Sequence, residues 1–237
     1  MISPPAYPLP SPTARAPDSA AQPEPLSRGK RSVGEPGKYW PQNSTLKIAL
    51  YDYAMDDPYV LAVKKAASEW LPHINLTFEF VCGEDGDVRI TQNLPGDHGG
   101  RSMIGTDAKN APPYAPTMSL PADPGTSSFA VTVMHEFGHM LGAHHEHQHP
   151  DANIPWNRPN LDRLFDQSEL QTNFRPLPRS DIYDFSRYDP DSIMHYSIAP
   201  SWSTDNTFHS RNAMLSADDI AWANKAYPKA RHQPGPI

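Results

Sequence analysis

Three histidines and one glutamate lie close together in the segment HEFGHMLGAHH, which spans residues 135–145. His135 and His139 are four residues apart, so on an α-helix their rings lie on one face, a turn apart. Gly142 can adopt a positive φ without steric cost, so the helix can end there and the chain can bring His145 back. Three imidazoles that bind one zinc ion leave its fourth position open for water, as in catalytic sites. The spacing therefore predicts a catalytic zinc site.

Glu136 follows the first of these histidines and can reach a metal-bound water without being a ligand itself. Zinc bound by three neutral imidazoles lowers the pKa of its water towards about 7, so Glu136 can act as a general base. The alternative is a histidine-rich, exposed helix end, because His144, His147 and His149 crowd the same stretch. The spacing from the glycine selects His145 as the third ligand.

A second motif, SIMHY, occupies residues 192–196. A methionine that follows the longer histidine motif is the pattern of the metzincin peptidases, and the two motifs together resemble the astacin family. The resemblance extends from about Tyr39 to Tyr227 and implies a zinc endopeptidase with a cleft between two subdomains. Met194 would be the methionine of the turn beneath the metal. Tyr196 would be the tyrosine that ligates zinc at rest and swings away when substrate binds.

The same resemblance implies roles for the first motif, with the three histidines as zinc ligands and Glu136 as the general base. Tyr196 is in addition the candidate donor to the oxyanion that forms during peptide hydrolysis. We interpret His195 as a structural residue of the turn, and Asp189 and Asp191 as residues that tie loops together.

Three features depart from, or depend on, the family pattern. Astacins usually contain disulfides, whereas Cys82 is the single cysteine of this chain and cannot form an internal one. His149 stands where a basic residue is usual, so we expect the local salt-bridge network to differ from that of the family. Glu146 matches a residue that in astacins contacts the newly freed amino terminus of the mature enzyme. These departures indicate a cysteine-poor, microbial-type relative.

Composition limits the classes of partner. The chain has 237 residues and a formal net charge of −7, which fits one domain with appendages. No Lys/Arg cluster indicates a nucleic-acid face, and no apolar run approaches the roughly 18 residues that span a bilayer. We therefore expect no nucleic acid and no membrane span. The resemblance implies protein or peptide substrates, and we expect a monomer. The resemblance favours secretion, although residues 1–8 lack the features of a signal peptide.

The chain divides into three parts by composition and pattern. Residues 1–37 are rich in Pro, Ala and Ser, which predicts a disordered leader or propeptide. Its basic run, Arg28–Arg31, is either a solvated linker or a protease-sensitive junction. Residues 38–228 are the predicted catalytic domain, and residues 229–237 a flexible tail.

Hydrophobic periodicity predicts strands and helices of an α+β fold, and the resemblance implies that this fold is of the metzincin type. A mixed sheet and the active-site helix form the upper subdomain (residues 38–142), and an irregular, loop-rich lower subdomain (residues 143–228) ends in a C-terminal helix. The predicted strands cover residues 45–51, 75–81, 88–91, 103–106 and 117–120, and the predicted helices cover residues 56–71, 127–141 and 216–227.

The sequence thus predicts a zinc-dependent endopeptidase that hydrolyses protein substrates through a metal-activated water. The main alternative is a catalytically silent protein of the same fold that binds zinc and peptides. Loss of Glu136 or of a ligand histidine would indicate that alternative, and neither residue type is lost. A different zinc hydrolase, such as an amidase, is disfavoured because it has no reason to contain the motif at residues 192–196.

Overall fold

The structure, a computed structural model, describes residues 33–51, 53–93 and 99–229. Predictions for residues 1–32 and 230–237 therefore fall outside the described residues. Among the described residues, no helix combines the length and apolar character needed to cross a membrane. The strands and helices are β1 (Val33–Gly34), β2 (Thr45–Leu50), α1 (Pro58–Ala67), β3 (Thr77–Cys82), β4 (Val88–Gln92), β5 (Arg101–Ser102), β6 (Met118–Leu120), α2 (Phe129–Met140), α3 (Arg158–Leu164), α4 (Gln167–Asn173), β7 (Asp184–Phe185) and α5 (Ala217–Ala226).

A five-stranded mixed sheet forms the upper subdomain, with the strand order β3-β2-β4-β6-β5. β2 is parallel to β3 and β4, and β4 is parallel to β6, whereas the edge strand β5 is antiparallel to β6. Phe137 of α2 contacts Phe78 and Phe80 of β3, with ring centroids 5.6 and 6.5 Å apart, so α2 packs on the sheet. The mixed sheet and its covering helix are confirmed.

α1 is shorter than the helix predicted over residues 56–71. It begins after Asp57, whose side chain caps the first turn, and it ends at Ala67. A 3-10 helix, Ser68–His73, continues the chain. Pro72 explains the change, because a proline lacks the backbone N–H of an α-helix and its ring collides with the carbonyl four residues earlier.

The strand predicted over residues 103–106 is wrong in position. β5 precedes it, and a 3-10 helix, Gly105–Asn110, follows. Gly105 has a φ of +50°, and a side chain there would collide with the backbone carbonyl of Lys38. This left-handed turn ends the extended chain. The other four predicted strands agree with β2, β3, β4 and β6 to within two residues at each end.

The lower subdomain is more regular than predicted, because it contains α3 and α4. Asp166 and Glu169 form a capping box at the start of α4, and this pattern is a sequence signal for a helix. Leu161, Leu170 and Phe174 are buried together in a small apolar cluster that is separate from the main core. The predicted C-terminal helix is confirmed as α5, which begins with a second capping box.

Residues 33–37, which the composition assigns to the predicted leader (residues 1–37), take part in the fold. β1 pairs with β7, and Val33 of β1 is only 1% exposed. The backbone N–H of Glu35 donates to Gly142 O at 3.0 Å, and the N–H of His144 donates to Val33 O at 2.9 Å. These pairings join segments that are distant in the chain, which composition alone cannot indicate.

Candidate metal centre

α2 places the first two histidines of the motif on one buried face. The ring centroids of His135 and His139 are 4.8 Å apart. The Nδ1 atom of His135 lies 2.8 Å from Ile193 O, and that of His139 lies 2.8 Å from Ala143 O. Because a carbonyl oxygen only accepts hydrogen bonds, each Nδ1 carries the proton. Each Nε2 is therefore left with a free lone pair, which is the form that binds metal.

The chain turns at Gly142 to bring the third histidine to the same point. Gly142 has a φ of +101°, and a side chain there would lie 2.7 Å from the ring of Tyr39. After the turn, His145 Nε2 lies 2.9 Å from His139 Nε2. One ligand atom from each of the three histidines lies within 4.8 Å of the others. This donor set of three imidazoles fits a zinc ion with one open position.

Burial sets the protonation state of the three rings. It lowers the pKa of His135 and His145 well below the ordinary value and lowers that of His139 to about 4. The imidazoles are therefore neutral at neutral pH, as metal binding requires.

Glu136 is held in the wall of the site between α2 and the segment before β5. It is 3% exposed, and its Oε2 has no hydrogen-bond partner among the described residues. Gly100 lies against this side chain, since a Cβ at residue 100 would be 2.5 Å from Glu136 Oε1 and 2.7 Å from Thr132 Cγ2. Burial raises the pKa of the carboxyl to about 8, and the charge of Arg211 opposes that rise. Sequence reasoning missed Gly100, since no local signal links it to Glu136.

The methionine turn lies directly beneath α2. Met194 is 1% exposed, and a side chain at Gly138 of α2 would collide with its sulfur. The backbone N–H of Glu146 donates to Met194 O at 3.0 Å, which links the turn to the segment of the third histidine. The structure thus places Met194 against α2, the helix that contains His135 and His139.

Tyr196 lies over the third histidine. Its ring centroid is 4.3 Å from that of His145 and 4.3 Å from that of His147, and it stacks on His147. Burial is the main cause that raises the pKa of the Tyr196 phenol to about 12, and the charge of Glu136 adds to it. The phenol is therefore a neutral donor at neutral pH. His195 points elsewhere, because Tyr188 Oη lies 2.7 Å from its Nε2 and Tyr196 O lies 2.7 Å from its Nδ1.

The family model described as Astacin, a family of peptidases, matches residues 33–227. The chain belongs to the astacin family. Its matched region is therefore a zinc metalloendopeptidase domain, and zinc is the cofactor that the three-histidine cluster fits. The resemblance drawn from the two sequence motifs is confirmed.

Solved and curated relatives agree with this assignment. This chain aligns with the structure of myroilysin with a TM-score of 0.74 and 33% sequence identity. The alignment covers 83% of this chain and 98% of the myroilysin chain. Zinc metalloproteinase nas-3 of Caenorhabditis elegans is 41% identical over 67 residues, which are 28% of this chain and 20% of that protein. Tolloid-like protein 1 of Mus musculus is 29% identical over 180 residues, which are 69% of this chain and 16% of that protein. The chain thus spans a fifth or less of these two curated relatives.

Glu146, the astacin residue that the sequence linked to the amino terminus, is completely buried. Its Oε1 accepts a hydrogen bond from the backbone N–H of Asp189 at 2.8 Å, and its Oε2 has no partner among the described residues. Asp189 Oδ2 in turn accepts from Ser216 Oγ at 2.7 Å, and its Oδ1 accepts from the N–H of Asp191 at 3.0 Å. Asp189 therefore ties loops together, as expected.

His149, which replaces the basic residue usual in astacins, makes local hydrogen bonds. Its Nε2 lies 2.6 Å from Ser186 O, and its Nδ1 accepts from the N–H of Asp151 at 3.0 Å. Arg179, from a later loop, forms the ion pair with Asp151. The local salt bridge is thus made by an arginine elsewhere in the chain.

Proposed function

We propose that the protein is a zinc-dependent endopeptidase that cleaves protein substrates, with one zinc ion bound by His135, His139 and His145. The convergence of three ligand atoms to within 4.8 Å carries this proposal. Hydrogen bonds to backbone carbonyls support it, because they fix two of the rings with Nε2 free. Bound zinc would polarise the substrate carbonyl and make its own water more acidic.

In this proposal Glu136 is the general base and then the general acid. Its Oε2, which has no partner among the described residues, takes a proton from the attacking water and delivers it to the leaving amine. This role requires the ionised carboxylate, which burial disfavours. A zinc ion held by the three histidines would favour the ionised form, because a nearby opposite charge lowers the pKa of a carboxyl group. The close packing of Gly100 against the carboxylate holds it in the site. Tyr196 donates a hydrogen bond from its neutral phenol to the oxyanion that develops on the attacked carbonyl.

Digestion of casein with and without a zinc chelator tests the function. We expect the chelator to stop cleavage of casein and added zinc to restore it. The assay is run on the full-length protein and on the protein cleaved within its basic run, Arg28–Arg31, and activity of either form supports the function. A catalytically silent zinc- and peptide-binding protein would instead hold zinc and cleave nothing. The presence of Glu136 and of all three ligand histidines favours the enzyme.

Replacing Tyr196 with phenylalanine should lower kcat by about 10²–10³-fold, because one donor to the oxyanion typically contributes that much. The phenyl ring keeps the stacking on His147, so folding should be unchanged. Steady-state kinetics on a peptide substrate should show a small change in KM, since the lost interaction strengthens only in the transition state. Zinc content measured in parallel should stay at one ion per chain. Unchanged kcat, or loss of zinc, would mean that Tyr196 is structural.

We further propose that the residues before Ser32 are a propeptide released at the basic run, Arg28–Arg31. β1 begins beside His144, two residues from Glu146 in the chain. The buried Oε2 of Glu146, which has no partner among the described residues, is a suitable partner for a new amino group. A cation paired with a buried carboxylate compensates the cost of burying that charge.

Cleavage after Arg31 should therefore raise both kcat/KM and Tm relative to the full-length protein. A gain of 1 kcal/mol corresponds to roughly 2–4 °C in a domain of this size. Thermal unfolding and peptide hydrolysis before and after limited proteolysis measure the change. Glu146→Gln, which keeps the shape and removes the charge, should abolish the gain. Equal activity and equal Tm before and after cleavage would leave the leader as a plain linker.

A further inference from the structure

We propose that Asp219 of α5 is a positioning residue for the zinc ligand His135, through a chain of hydrogen bonds that crosses the methionine turn. We call this chain the Asp219 relay. It rests on the proposed zinc site, and it adds a remote carboxylate to that site.

The relay has three links that point the same way. The Nδ1–H of His135 donates to Ile193 O at 2.8 Å. The N–H of the same peptide unit, which belongs to Met194, donates to Ser192 Oγ at 3.0 Å. The hydroxyl of Ser192 donates to Asp219 Oδ1 at 2.6 Å. Every donor is thus directed from the imidazole towards the carboxylate.

The carboxylate at the end of the relay is fixed in place. Asp219 has no exposed surface, and its Oδ2 accepts from the N–H of Ile193 at 2.8 Å and from the N–H of Ser216 at 2.8 Å. It belongs to the capping box in the first turn of α5, where the helix dipole favours negative charge. Neither Asp219 nor the equally buried Ser192 can therefore turn away without leaving buried polar groups unpaired.

A fixed negative charge at the end of an aligned chain of hydrogen bonds strengthens each bond in it. Metal-bound histidines commonly donate directly to a carboxylate, which fixes the tautomer and raises the basicity of the ligand nitrogen. Here a peptide unit and a hydroxyl connect the two groups. His139 differs, because its Nδ1 donates to Ala143 O, and the N–H of that peptide unit, on His144, donates to the uncharged Val33 O.

Ser192→Ala tests the relay, because it removes the hydroxyl link and leaves the bonds of Asp219 to Ile193 and Ser216 in place. Ser216→Ala is the matched control, since it removes a hydroxyl and the cap of α5 but leaves the relay intact. Zinc affinity is measured on the full-length proteins by competition with a chromophoric chelator. The visible absorption spectrum after cobalt substitution is recorded in parallel.

We expect Ser192→Ala to weaken zinc binding by about 10-fold or more, since partners of metal ligands typically contribute 10–100-fold. We expect it also to shift the cobalt spectrum, whereas Ser216→Ala should lower Tm and leave affinity and spectrum near those of wild type. Wild-type affinity in Ser192→Ala, or equal losses in the two variants, would overturn the relay.

Asp219→Asn decides the question if Ser192→Ala does not fold. It keeps the size of the side chain but removes the charge that ends the relay, so zinc affinity should again fall by about 10-fold or more. Retained affinity would overturn the proposal. A wild-type protein that binds no zinc would overturn the zinc site itself and the relay with it, so the two failures can be distinguished.

Discussion

Replacement of His139 with alanine should remove the bound zinc and the peptidase activity together. His139 is the central ligand candidate, since its ring lies 4.8 Å from that of His135 and 4.5 Å from that of His145. Without it, two histidines from different segments remain, and two imidazoles do not complete the three-ligand set of a catalytic zinc site. Metal analysis after dialysis and a casein assay on the same sample measure both losses.

His144→Ala is the control for this experiment. His144 lies in the same stretch, but its Nε2 is 2.8 Å from Glu35 Oε2 and it is not part of the histidine cluster. The variant should therefore keep one zinc ion per chain. Stoichiometric zinc in His139→Ala, or loss of zinc in His144→Ala, would show that the ligand set has been assigned in the wrong register.

Elements with strong local signals could be predicted from the sequence. α2 combines a continuous apolar face with a glycine that ends it, and α5 begins with a capping box, so both were placed near their observed bounds. β1 could not be predicted, because two residues contain no periodicity and pair only with distant segments. The capping box of α4 was a local signal that the loop-rich interpretation of this region overlooked.

The candidate site likewise contains residues that local sequence signals predict and residues that only distant contacts bring into place. The spacing within one helix and one turn determines which histidines can converge, so the cluster of His135, His139 and His145 could be predicted from the sequence. The residues that hold the side chains of the site are distant in the chain: Ile193 O accepts from the ligand candidate His135, and Gly100 packs against Glu136, the candidate base. Such contacts depend on tertiary packing, and a single sequence contains no signal for them.

Glu136→Gln should preserve the zinc site and remove most of the hydrolysis. Glutamine has nearly the shape of glutamate, so it fits the space that Gly100 and Thr132 leave around the side chain. It cannot accept the proton of the attacking water, and general-base catalysis typically contributes 10²–10⁴-fold. We expect kcat to fall by about that factor, while zinc content and Tm stay near those of wild type. Steady-state kinetics, metal analysis and thermal unfolding on one preparation measure all three quantities.

Glu79→Gln is the matched control, because Glu79 is an exposed glutamate of β3 in the same subdomain. It should retain wild-type turnover, which would show that loss of a glutamate charge is not itself responsible for the lower kcat of Glu136→Gln.

The result for Glu136→Gln also separates the two candidate functions. An enzyme loses hydrolysis in Glu136→Gln and keeps zinc, whereas a silent binding protein has no hydrolysis to lose. Turnover of Glu136→Gln at the wild-type rate would exclude Glu136 as the base, because loss of a general base typically lowers the rate by about 10²–10⁴-fold.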